Sequence, residues 1–425
     1  MSVRIFHPMV APFVQQAARA LHEAGQLERY ITSIRYDPAS NAQRALFAAG
    51  RLAGLDLERE FRRRTVSAVP LDRVVSRPWG ELLRVAVARV DRDGRALDFV
   101  WERAEQAFDH AVARSLHPGL TGLYAFEYSS LASITRARAL GLPVAYDVPA
   151  PEPRFVQAIL DREAAKFPEL ITPWHKWTAD REENRIARRH AEFRRASLVV
   201  AASRFTRDSF APSGLDTSKV RIVPYGAPPV VARDLALSGG SQSGPLELVW
   251  AGTFSVRKGA HYLLDAWRTH RLGRHARLRV YGSVPLPDRL VQPVPEGMEF
   301  VGAVPHSELM AALHRADALI FPTLCDGFGM VVTEAWSRGV PVITTTAAGA
   351  ADLLKENENG VLIPAADASA IAGAVDWCHS HRADLRGMRE PALATAAGWQ
   401  WSDYRARLAE TLRAGGLFGA SAAPA

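Results

Sequence analysis

The stretch Leu319-Ile320-Phe321-Pro322-Thr323-Leu324-Cys325-Asp326-Gly327-Phe328-Gly329-Met330-Val331-Val332-Thr333-Glu334-Ala335, continued by Arg338-Gly339-Val340-Pro341-Val342-Ile343, holds a strand, a turn, a helix and a second strand in one pass. A short apolar run feeds a glycine-containing turn, helical spacing follows Gly329, and another apolar run begins at once, which is the pattern of a parallel sheet. The glycines let backbone come close to a ligand, and the free amides of a helix starting near Gly329 point toward it. Asp326 stands ahead of that helix and Glu334 lies within it, so two carboxylates bracket one helix start. Such a pair can hold the hydroxyls of a sugar and of a ribose. The plainer alternatives are a helix cap for Asp326 and a surface acid for Glu334.

The same order of elements occurs upstream. Leu248-Val249-Trp250-Ala251-Gly252-Thr253-Phe254-Ser255-Val256-Arg257-Lys258-Gly259 reads as strand, loop and helix start, with Leu263, Leu264 and Trp267 on the apolar side of the next helix. Ligands of doubly wound sheets sit at the carboxyl ends of strands, where helix starts and loop amides favour anions. Arg257 and Lys258 add positive charge there, suited to a diphosphate whose negative charge grows as its bond to a sugar breaks. Read alone, the two are equally a pair of solvated residues in a turn.

Working outward, strands expected at 246–251, 277–282, 298–303, 318–322 and 341–345 alternate with helices and give a doubly wound domain over 246–398. Residues 227–245 pass from Ala227-Pro228-Pro229 to the polar Ser238-Gly239-Gly240-Ser241-Gln242-Ser243-Gly244, the composition of a linker. Residues 1–226 alternate again, with strands expected at Val3 to Phe6, Tyr30 to Ile34, Gly122 to Phe126, Pro143 to Asp147, Ser197 to Ser203 and Val220 to Pro224. Between the second and third of these the pattern is mainly helical. A chain of 425 residues accommodates two such α/β domains, Rossmann-like and facing each other across a cleft.

Composition narrows the function classes. No apolar run approaches the roughly 18–20 residues of a membrane span, and the start, Met1 to Pro8, lacks the pattern of a secretory leader, so a cytoplasmic protein is expected. Cys325 and Cys378 have neither zinc-site nor redox spacing and are expected as buried thiols. No grouping of His, Asp or Glu has metal-ligand spacing, so neither a metal nor another cofactor is expected. The formal charge of +7 is uneven: residues 1–225 hold 34 Lys and Arg against 26 Asp and Glu, the remainder 18 against 19. Arg62-Arg63-Arg64 and the stretch from Arg181 to Arg195 supply much of the surplus, which suits a phosphorylated acceptor or peripheral contact with the anionic inner face of a membrane, or else forms a solvated face. Nucleic acid is not expected, because no zinc-finger spacing and no aromatic-basic RNA-binding motif occurs.

At Asp326-Gly327-Phe328-Gly329 through Glu334, with Arg338-Gly339-Val340-Pro341-Val342, Gly360 and Val361, the chain resembles glycosyltransferase family 4 from about residue 246 to 365. The retaining members of that family share the two-domain GT-B fold and an acid, seven residues, then Glu. The resemblance implies a donor domain at 246–398 that takes a UDP- or GDP-sugar and an acceptor domain at 1–226. It further implies a last helix within 399–415 that returns to the first domain; a flexible tail is expected at 416–425. It implies that Glu334 binds ribose, that Asp326 and the amides of Phe328, Gly329, Met330 and Val331 hold the donor sugar, and that Lys258 neutralises diphosphate. The implied reaction is retaining transfer to a hydroxyl of a glycan, lipid-linked or small-molecule acceptor. The first half is similar to a narrower bacterial branch through Tyr124 to Tyr128, Tyr146 to Pro149, Glu163 with Phe167-Pro168-Glu169, Ala202 to Thr206 and Pro224 to Pro228.

The chain also departs from the family. Asp326 replaces the usual Glu, Gly252-Thr253 replaces Gly-Arg, which shifts phosphate binding toward Arg257 and Lys258, and His7-Pro8-Met9-Val10-Ala11-Pro12 replaces an early glycine-rich loop. His7 is expected at a loop edge facing the cleft, and Glu127 after a strand, as acceptor-side candidates beside purely structural roles. Trp174, His175, Lys176 and Trp177 are candidates for an acceptor lip or a membrane-facing edge, against ordinary helix packing. The rival readings are another GT-B enzyme, an epimerase or phosphorylase, and a catalytically silent binding partner.

Overall fold

A computed structural model describes residues 2–52, 54–241 and 244–418, without the side chains of 173–176 and 179–180. The Trp174, His175 and Lys176 side chains, Gln242 and Ser243 of the linker, and residues 419–425 of the tail lie outside the described residues.

Two parallel sheets organise the chain. The first contains β1 (Val3–Phe6), β2 (Leu27–Thr32), β3 (Val74–Ser76), β4 (Gly122–Phe126), β5 (Val144–Val148), β6 (Leu198–Ala201) and β7 (Val220–Ile222) in the order β3-β2-β1-β4-β5-β6-β7. The second contains β8 (Leu246–Ala251), β9 (Ala276–Tyr281), β10 (Met298–Gly302), β11 (Ala318–Phe321), β12 (Val342–Thr344) and β13 (Gly360–Leu362) in the order β10-β9-β8-β11-β12-β13. Both orders reverse direction once, between β1 and β4 and between β8 and β11. A crevice opens at such a reversal, because the connections on either side run to opposite faces.

The inner strands β1, β4, β5, β6, β11 and β12 are buried at every residue. Helices therefore cover both faces, which is why these strands read as continuous apolar runs and not as alternation. The second strand runs Leu27–Thr32 instead of Tyr30 to Ile34. Ser33 leaves the ladder because its amide donates to the carbonyl of Pro8, 3.2 Å away, as does its hydroxyl. The strands β3 and β13, at the outer edges of the two sheets, were not among the expected strands.

The connection between the sheets is itself structured. It contains a helix, Arg233–Ser238, whose Ala236 carbonyl accepts from the buried Arg389 at 2.8 Å. The helix Trp401–Ala414 opens with a capping box between Gln400 and Asp403 and packs on the first domain's helix Pro12–Glu23. There Arg405 donates to Glu23 at 2.7 Å and to Gln16 at 2.8 Å, while Leu408 and Leu412 share a core with Val14, Ala17 and Leu21.

Candidate functional site

The carboxyl ends of β8 and β11 meet at the reversal of the second sheet. β8 runs into Gly252 and a single 3-10 turn, Val256–Lys258. Gly259 then opens the helix Ala260–Thr269 at φ +76°, where a Cβ would lie 2.0 Å from the carbonyl oxygen of Pro322. Only glycine permits that approach, and it brings the basic turn against the end of β11. Lys258 Nζ lies 3.5 Å and Arg257 Nη1 3.8 Å from Oδ2 of Asp326. Arg257 also donates to the Cys325 carbonyl at 2.7 Å, and the Lys258 ammonium sits 5.1 Å from the centre of the Phe321 ring.

These separations exceed the roughly 2.7–2.9 Å of a contact ion pair. Each cation is held in Coulomb range of the carboxylate with donors left for another anion. All three side chains are at least partly shielded from water, so their charges act with less screening than on an open surface.

Asp326 does not cap the helix. The cap position of Met330–Trp336 is Gly329, without a side-chain hydrogen bond, and Oδ1 of Asp326 accepts the Phe328 amide at 3.2 Å in a local turn. The Phe328 side chain is buried against Tyr225 of the first domain, ring centres 5.3 Å apart, and its carbonyl accepts the Ala350 amide at 2.6 Å, so Phe328, expected among the sugar-holding amides, has its N–H and its carbonyl engaged within the protein. Glu334 lies one helical turn further on and binds His306 Nε2 at 3.0 Å. The hydrogen bond and charge of Glu334 raise the His306 pKa above its usual value. Nothing in the local sequence pairs His306 with Glu334, since they lie in different helices, His306–Arg315 and Met330–Trp336.

His7 and Glu127 follow β1 and β4, so they flank the reversal of the first sheet. The structure corrects the expectation of a loop-edge His7. Its ring is buried, edge-on to Phe126 at 5.1 Å, with Nδ1 2.9 Å from the Met9 carbonyl oxygen and 3.0 Å from the Met9 nitrogen. Burial lowers its pKa to about 4, so the imidazole is neutral near pH 7. Burial drives Glu127 the other way, up to about 7, against the opposing charge of Arg189 at 3.3 Å. A cavity of about 220 Å³ opens at the carboxyl ends of β1, β2 and β3, lined among others by Pro8, Ser33, Arg77, Trp79 and Glu105. Of these, Arg77, Trp79 and Glu105 were not anticipated, because they lie in the mainly helical segment whose pattern is least regular.

The basic runs of the first half are mostly neutralised. Arg62 pairs with Glu58 at 2.8 Å, Arg63 with Glu60 at 3.3 Å, and Arg64 with Glu60 at 2.9 Å and Glu81 at 2.5 Å. In the long helix Pro173–Arg195, Arg185 pairs with Asp98, Arg188 with Asp109 and Glu192, and Arg189 with Glu127 and Glu182. Trp177 packs against the Arg181 guanidinium, 4.3 Å from its ring centre. The charge surplus is therefore not concentrated in these clusters, because acids of the same and neighbouring helices face them.

Residues 245–381 match the family model described as glycosyl transferases group 1. Glycogen synthase of Mycobacterium tuberculosis is 32% identical over 140 residues, 32% of this chain and 34% of that protein. The putative colanic acid biosynthesis glycosyltransferase WcaL of Salmonella typhimurium is 26% identical over 192 residues, 42% of this chain and 47% of that one. The matches thus span about a third to a half of these relatives' length. Among solved structures, Anabaena HepE in complex with UDP-glucose superposes with a TM-score of 0.59 at 15% identity, covering 97% of this chain and 100% of that one. Sucrose-phosphate synthase of Thermosynechococcus elongatus superposes with a TM-score of 0.61 at 18% identity, covering 97% and 98%. The fold is GT-B, two parallel-sheet Rossmann-like domains.

Proposed function

We propose that the chain is a glycosyltransferase that moves a sugar from a nucleoside-diphosphate donor, a UDP- or GDP-sugar, to a hydroxyl of a glycan, lipid-linked or small-molecule acceptor. The observation that carries this reading is the convergence of Arg257 and Lys258 on Asp326 at the reversal of the second sheet, inside the segment that matches the family model. A sugar nucleotide presents both chemistries that this convergence suits. Its diphosphate needs fixed cations, and its sugar needs a hydroxyl acceptor beside them.

In the transfer, the bond from C1 of the sugar to the diphosphate oxygen breaks and a bond from C1 to the acceptor oxygen forms. The acceptor proton passes to the departing diphosphate. Negative charge on the diphosphate is greatest as the bond breaks, so Lys258 and Arg257 act where preorganised charge is most effective. Asp326 orients the sugar and Glu334 holds the ribose. Retention of anomeric configuration and these two roles rest on the likeness of the acid, seven residues, Glu pattern to retaining members of glycosyltransferase family 4. The acceptor is assigned to the first domain, where a cavity lined by Pro8, Ser33 and Arg77 opens at the ends of β1, β2 and β3.

Thermal shift with UDP, GDP and their sugars tests the reading, since a ligand that binds only the folded chain raises its melting temperature. The expected result is a shift with one nucleoside diphosphate and a further shift with its sugar, with slow hydrolysis of that sugar nucleotide. No shift and no hydrolysis with any of them would overturn it.

A further inference from the structure

The loop that bears Asp326 is held from both domains. From the second domain, the Asp326 amide donates to the Ala347 carbonyl at 2.9 Å and the Gly349 amide to the Asp326 carbonyl at 3.0 Å. From the first, the Gly327 carbonyl accepts Oγ of Ser203 at 2.7 Å and Oγ1 of Thr206 at 3.0 Å, both fully buried. A Cβ on Gly327 would lie 2.1 Å from the Pro149 carbonyl oxygen at the end of β5, so the loop is pressed directly onto the first domain.

We infer that Ser203 and Thr206 are positioning residues that set the orientation of the Asp326 carboxylate from across the cleft. The peptide joining Gly327 to Phe328 is planar and trans, so its carbonyl and its N–H point in opposite directions. Two hydroxyls fix the carbonyl, which fixes the N–H, and that N–H donates to Oδ1 of Asp326 at 3.2 Å. The other oxygen, Oδ2, then faces Lys258 and Arg257. Ser203 is itself held, because Oγ also accepts the Thr206 amide at 3.0 Å as the cap of the helix Arg204–Ser209. The carboxylate of the donor site thus takes its working direction only when the first domain is seated on it.

This role rests on the proposed function and is read with UDP, UDP-glucose and GDP-mannose. Thr206→Val keeps the side-chain shape and removes the hydroxyl. It is expected to keep the fold and UDP or GDP affinity, with a melting temperature lowered by at most the few degrees that one lost hydrogen bond costs, and to lower kcat for sugar-nucleotide hydrolysis by roughly 2- to 10-fold. Thr206→Ser should restore it. Ser203→Ala, normalised to its nucleotide-binding fraction because it also loses a helix cap, should lower kcat in the same way. Wild-type kcat in both variants, or failure of Thr206→Ser to rescue, overturns the role. So does a loss of UDP affinity as large as the loss of turnover, since that marks general loosening of the domain. A wild-type chain that neither binds nor hydrolyses either sugar nucleotide overturns the proposed function instead.

Discussion

The Lys258 ammonium stands 3.5 Å from the Asp326 carboxylate, each at the carboxyl end of a different strand of the second sheet. The pair is close enough for mutual orientation and too open to exhaust either partner. Lys258→Ala is accordingly expected to slow transfer by about 2–4 kcal/mol of transition-state stabilisation, and to weaken nucleoside-diphosphate binding less. Steady-state kinetics with calorimetric binding checks it. A folded variant with unchanged kcat/KM would remove Lys258 from the site.

The contact of Glu334 with His306 supplies a spectroscopic handle on the proposed ribose-binding role of Glu334. Because Glu334 raises the His306 pKa, the pair's contribution is complete below the ordinary histidine pKa and is lost as pH rises through the raised value. In Glu334→Gln, an NMR titration of His306 should return toward about 6.5. The same variant should bind bare UDP or GDP more weakly as well as the sugar nucleotide. An effect confined to the sugar nucleotide would exchange the roles of Glu334 and Asp326.

Four buried carboxyls of the first domain, Glu105, Glu127, Asp147 and Glu192, are pushed by burial up to about 7. Each holds its proton more tightly folded than unfolded. Stability is therefore greatest at acid pH within this window and declines from the ordinary carboxyl range up to about pH 7. Asp147→Asn, which can still accept the Tyr124 hydroxyl now 2.6 Å from Oδ2, should flatten that decline in melts between about pH 5 and 8. An equally steep decline in the variant would show that Asp147 is charged when buried.

The arginine run of the first domain is expected to behave as three different residues. Arg64, enclosed with Glu60 and Glu81, should cost about 1–3 kcal/mol when changed to Ala, through the half-buried acids it leaves without their partner. Arg62→Ala and Arg63→Ala, at exposed ion pairs, should change stability by under about 1 kcal/mol. Denaturant melts of the single variants decide this. Equal small losses at all three would restore the picture of an open basic face.

The sequence by itself determined most of the element types and named the candidate donor residues. Apolar runs of strand length, helical spacing and glycine turns are local patterns, and local chain geometry obeys them, so β8 was legible to the residue and the turn at Asp326 to Gly329 was in place. Charge partners and strand order are long-range, and only the tertiary structure decided them. Packing chose which strands lie side by side, and so put Lys258 with Asp326 and His7 with Glu127 at the two sheet reversals. Packing also turned the arginines toward acids on other helices, lowered the pKa of His7 by enclosing it, and set two first-domain hydroxyls on the Gly327 carbonyl. Those contacts join residues far apart in the chain, and their energies depend on burial, which no local pattern encodes.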